Sequence, residues 1–106
     1  MPTGTTLVGR RFEYSGSLAT GLTVYFPSTT LKISPEVVKI IRHEITTRSP
    51  VLMGANIKPL LPNSVGKTLF EKHGIPPKVM SYVLPLLIKE GFCTASDRKP
   101  FVIRKL

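Results

Sequence analysis

Acidic side chains are scarce in this chain, with six Asp and Glu against fifteen Lys and Arg, and they are scattered. No carboxylate pair and no Ser–His–acid arrangement follows from such spacing. Histidine occurs twice, His43 and His73, on different expected helices, and Cys93 is the sole cysteine. That excludes a zinc-type ligand spacing and an internal disulfide. Catalytic residues, metal ligands and cofactors are therefore not expected, and neither is an enzyme. A lone cysteine suits a reducing cytoplasm. Beside Phe92, Cys93 reads as a buried strand residue rather than a redox sensor. Long apolar runs are missing too. None approaches the roughly 18 residues of a membrane helix, and MPTGTTLVGRR lacks the apolar centre of a signal peptide. The expectation is a soluble, cytoplasmic protein with no membrane role.

What is present is positive charge on a foldable background. The formal charge is +9 and the isoelectric point about 10.1, with 42% hydrophobic residues and a mean hydropathy of +0.13. Such a composition folds, and its charge favours a polyanionic partner. At 106 residues the chain makes one domain with one core, and a homodimer would add stability. Up to Ile57 six basic residues face three acidic ones, and beyond it nine face three, so the excess lies in the C-terminal half.

Residues 1–33 read as a β-hairpin extension. Met1 to Val8 carry no pattern and are expected to be loose. Arg10–Ser15 alternates as a strand does, Gly16–Gly21 is turn-rich, and Leu22–Phe26 is a β-rich run stopped by Pro27. Leu31–Ile33 can add a third short strand, and so small a sheet must pack on helices or on a second subunit. Arg10 and Arg11 read as a solvated strand end before they read as a backbone contact. Ser34 then caps a helix with Pro35 in its first position and Glu36 at the positive end of the dipole. Val37, Val38, Ile40, Ile41 and Ile45 cover one side of it, Lys39, Arg42, His43 and Thr46 the other. Glu44 and Arg48 are spaced for an i, i+4 pair.

Three prolines and a glycine exclude a long helix over Ser49–Pro62, where Val51–Met53 is a candidate strand for the C-terminal hairpin. A second helix follows, capped by Asn63 or Ser64, with Val65, Leu69 and Phe70 inward and Lys67, Glu71 and Lys72 outward. Its N-terminal amides, with Asn63, Ser64 and Lys67, suit a phosphate; plain capping accounts for the same residues. Gly66-Lys67-Thr68 matches the end of a phosphate-binding loop. However, the glycine needed five residues earlier is Leu61, no strand feeds the loop, and Pro62 interrupts it. Nucleotide hydrolysis is excluded on that basis.

After Gly74 a third helix is expected from Pro77 to about Glu90, ending at Gly91. Its apolar positions spread over roughly 200° of arc, leaving Lys78, Ser81, Tyr82, Pro85 and Lys89 on the remaining face. Pro85 removes one backbone bond, so a kink or an irregular first half is expected. Strand, basic turn and strand close the chain.

The runs Lys78–Leu84 and Leu87–Phe92, the turn Asp97-Arg98-Lys99 and the strand Phe101–Ile103 resemble the recognition helix and wing of winged helix-turn-helix domains. MarR-type and related small regulators are the nearest pattern. The resemblance covers roughly the last forty residues. It departs in Pro85 and in the lack of Arg, Gln or Asn on the outward face. It implies an α+β fold: a winged helix domain over 34–106, with three helices and a C-terminal β-hairpin wing, and the added hairpin of 1–33. It further implies duplex DNA binding as a small transcriptional regulator. Lys78, Ser81, Tyr82 and Lys89 would then lie along the major groove, Arg98 and Lys99 on the flanking backbone, and the start of the second helix on a phosphate. The alternatives are a protein-interaction winged helix, suggested by the broad apolar arc and the apolar 50–62 segment, and an RNA-binding subunit of a larger assembly.

Overall fold

Ten elements build the chain, seen in a computed structural model that describes residues 2–56 and 58–106. The first four are strands: β1 (Thr3–Thr5), β2 (Arg11–Ser17), β3 (Gly21–Tyr25) and β4 (Thr30–Ile33). They form an antiparallel meander in the order β1-β2-β3-β4. Alternation sets its inner face: Tyr14 lies opposite Val24 and Val24 opposite Leu31, while Leu22 pairs with Ile33. Phe12 lies opposite Gly4, whose missing Cβ leaves room for the ring. The expected hairpin is thus part of a four-stranded sheet. The expectation of a loose N-terminus fails for Thr3–Thr5, which pair with β2 residue by residue. Nothing in that polar tripeptide signals a strand, and backbone pairing to a neighbour holds it.

Helix α1 (Pro35–Arg48) starts as its sequence demands. The Ser34 hydroxyl accepts from the Val37 amide at 3.2 Å, and Val38, Ile41 and Ile45 are buried. Arg48 donates to Glu44 at 3.0 Å and to Thr68 Oγ1 at 2.8 Å, so the anticipated pair also ties α1 to the next helix. Strand β5 (Val51–Leu52) follows, then α2 (Val65–His73), α3 (Val79–Lys89), β6 (Cys93–Ala95) and β7 (Val102–Lys105). The second sheet has the order β5-β7-β6, so the short run after α1 does pair with the C-terminal hairpin. Gly74, at φ +64°, closes α2 with its N–H on the Phe70 carbonyl. In α2 Val65 and Leu69 are buried, but Phe70 is 42% exposed, contrary to expectation. Leu69 holds the core-facing position and Phe70, one step of 100° further round, turns outward.

Helix α3 begins two residues later than its prolines suggest. Its entry is a run of i→i−3 bonds, from Val79 to Pro76, Met80 to Pro77 and Ser81 to Lys78. The helix then continues through Pro85 without a break. One apolar cluster joins everything: Phe12, Leu22, Val24 and Ile33 of the first sheet meet Ile41, Leu69, Met80, Leu84 and Ile103. The molecule is an α+β protein of three helices and two antiparallel sheets. No helix among the described residues is long and apolar enough to cross a membrane.

Candidate nucleic-acid interface

The turn between β6 and β7 carries Asp97, Arg98 and Lys99, all exposed. Ser96 holds it in shape: its hydroxyl accepts from the Val102 amide at 2.9 Å and donates to the Arg98 carbonyl at 3.2 Å. The two cations are thus presented at a ribbon tip, with Asp97 beside them as a local offset.

Helix α3 is placed differently from the sequence expectation. Six of its residues, from Val79 to Leu87, are buried, and Ser81, Tyr82, Pro85 and Ile88 are half-buried. The Tyr82 ring stands edge-on to Phe12 at 5.1 Å and to Phe26 at 5.7 Å between centroids. The Phe12 and Phe26 rings therefore lie against the face expected to enter a groove, and the Tyr82 ring is an inter-element contact. A helix apolar over more than half its circumference, with a tyrosine on the remainder, is one that gets covered from both sides. That signal was present in the sequence. Lys78 and Lys89 stay exposed at the two ends, about 16 Å apart along the axis.

At the start of α2 plain capping prevails. Ser64 is fully buried, accepts from the Lys67 amide at 3.0 Å and donates to the Leu61 carbonyl at 2.7 Å. The Gly66 amide is bonded to the Met53 carbonyl and the Thr68 amide to that of Ser64. With these amides consumed, Ser64 offers nothing to a phosphate. Lys67 is drawn to Glu71 at 3.9 Å, and only Asn63 remains exposed without such a tie.

What the structure brings together instead is a cavity of about 420 Å³. The turn between β1 and β2 forms one wall, with Leu7 and Val8, and the loop between β5 and α2 another, with Asn56 and Leu61. Ser81 of α3 and the wing residues Lys99 and Phe101 complete it. Of the sequence-nominated residues, Ser81 and Lys99 line this space and Lys78 stands one turn from Ser81; Lys89 is too far along the helix to join them. Arg10, read first as a solvated strand end, and Lys58 lie two and one residues along the chain from the lining positions Val8 and Pro59.

Glu44, Glu71 and Glu90 are each engaged by a cation on a helix, respectively Arg48, Lys67 and Arg42. Among the described residues Arg10, Lys58, Lys78, Arg98 and Lys99 have no Asp or Glu partner, and neither have Arg11, Lys32, Lys39, Lys72, Lys89 and Arg104. Lys105 and Arg42 are occupied elsewhere, over the Phe92 ring at 4.6 and 4.9 Å.

The chain matches no family model, no curated protein and no solved structure.

Cys93, 1% exposed, is the buried strand residue its context suggests. Burial pushes its thiol from 9.0 up to about 11, against the pull of Lys105 and Arg42. The native thiol is thus neutral at pH 7 and is expected to consume no disulfide reagent until the protein unfolds. The folded state keeps this proton while the unfolded state releases it. The thiol's share of stability is therefore full below pH 9 and lost as pH rises towards 11, by about 2 kcal/mol, which chemical denaturation of wild type against Cys93→Ala across that window measures.

Proposed function

We propose that this chain is a nucleic-acid-binding module of winged helix architecture that holds the phosphate backbone from its wing and from the cavity mouth. The observation that carries the reading is the exposed wing tip, where Arg98 and Lys99 have no carboxylate partner among the described residues and Lys99 also lines the cavity. The element order supports the architecture. Three helices precede a two-stranded ribbon, and a short strand after the first helix pairs with that ribbon, as the first strand does in winged helices. Because the first sheet covers α3, contact comes from the turns and strand ends, and a transcriptional role would rest on backbone geometry more than on a base code.

Replacing Lys99 or Arg98 with Ala is expected to weaken binding to all sequences alike. Each change should reduce the slope of log K against log[salt] by about one unit. Affinities measured by anisotropy at several salt concentrations test this, and an unchanged slope would remove the wing from the interface.

A second reading, a protein-interaction winged helix, is favoured by the exposure of Phe70 on α2. Salt-insensitive binding to a protein that Phe70→Ser abolishes would place the function there.

A further inference from the structure

The cavity beside α3 is built from four separate segments of chain, and its size falls within the roughly 300–1,000 Å³ of small-molecule sites. Its walls are chemically divided. Leu7, Leu61 and Phe101 offer apolar and aromatic surface, while Ser81 and Asn56 offer a hydroxyl and an amide, each able to donate and to accept. Lys99 stands on its wall. Arg98 and Lys58 are the chain neighbours of the lining residues Lys99 and Pro59, and Arg10 follows Val8 by two. Apolar and aromatic surface, a few hydrogen-bonding groups and the Lys99 cation complement a planar, polar-edged ring joined to a phosphodiester chain.

Resting on the nucleic-acid reading above, we propose that this cavity receives one unpaired nucleobase of a bound single strand. Phe101 and the leucines lie against the base's face, Ser81 and Asn56 meet its edge, and Lys99 with its neighbouring cations holds the phosphates on either side. A base within a duplex cannot make this contact, because its faces are stacked and the helix that would approach it through the groove is covered by Phe12 and Phe26 against Tyr82. An apolar peptide side chain would fill the walls but leave Lys99 uncompensated. The base is the occupant that uses both.

The test compares twelve-nucleotide single strands with the duplex of the same sequence, in deoxyribose and ribose versions, each carrying one 2-aminopurine. The full chain should bind a single strand at least 10-fold tighter than the duplex and change the 2-aminopurine emission on binding. Ser81→Leu, which fills the cavity from the helix side, and Asn56→Ala, at an exposed position, should each lose most of that preference. Their salt slopes and thermal melts should stay at the wild-type values. Phe101→Ala should weaken single-strand binding roughly 10-fold. Equal affinity for single strand and duplex, or Ser81→Leu with unaltered affinity and emission, overturns the cavity proposal while leaving backbone binding standing. Absence of salt-dependent binding to any of the four nucleic acids overturns both. The deoxyribose and ribose arms separate a contact to base and phosphate alone from one that also uses the 2′-hydroxyl.

Discussion

Gly66→Ala is expected to destabilise the protein by more than about 3 kcal/mol, against the ordinary helix preference that makes alanine the better residue by about 1 kcal/mol. The reversal comes from a close approach of two backbones. A Cβ at Gly66 would overlap the Gly54 carbonyl oxygen and stand 3.2 Å from Pro77, while the Gly66 amide already bonds the Met53 carbonyl at 2.9 Å. Gly54 is locked in turn: its φ is +64°, and a side chain there would overlap the buried Ser64. The loop from β5 thus lies directly on the first turn of α2, with no space for either to retreat. Gly74→Ala provides the contrast. Its φ is also positive but nothing lies within 4 Å of the missing Cβ, so its cost should be about 1 kcal/mol. Urea denaturation of both variants measures the difference. Equal midpoints for Gly66→Ala and wild type would mean that the loop and the helix are not in contact. The same geometry explains why Gly66-Lys67-Thr68 imitates a phosphate loop: the glycine is required by packing.

Tyr82→Ala is expected to cost about 3 kcal/mol, because it empties the space between Phe12 and Phe26 and loosens the first sheet from α3. Tyr82→Phe should cost well under 1 kcal/mol, since among the described residues the Tyr82 hydroxyl has no hydrogen-bond partner and the ring geometry is kept. For a groove-reading α3 the opposite result follows: little change in stability and a loss of nucleic-acid affinity in both variants. Thermal melts and anisotropy titrations of the two proteins therefore distinguish a ring that holds elements together from one that faces a ligand.

Some elements were legible because their causes lie within a few residues. Ser34 before Pro35, Gly74 after His73, the alternation of Arg10–Ser15 and the apolar stripe of α1 each state a local preference that nothing further along the chain opposes. The burial of Cys93 and the pairing of Val51–Leu52 with the last strand were readable on the same terms. The candidate site was legible in half: Lys99 and Ser81 were nominated and do line one space, whereas Tyr82 and Ser64 were nominated and point into packing.

The amino-acid sequence alone determined the helices, most of the strands and the excess of positive charge, because periodicity, capping and composition act locally or by simple count. Tertiary structure decided which side of each element was left uncovered. Phe12 meets Tyr82 across seventy residues of chain, and the cavity takes walls from segments as distant as Leu7 and Phe101. Such contacts depend on the summed burial of the whole core, and no window of sequence contains both partners.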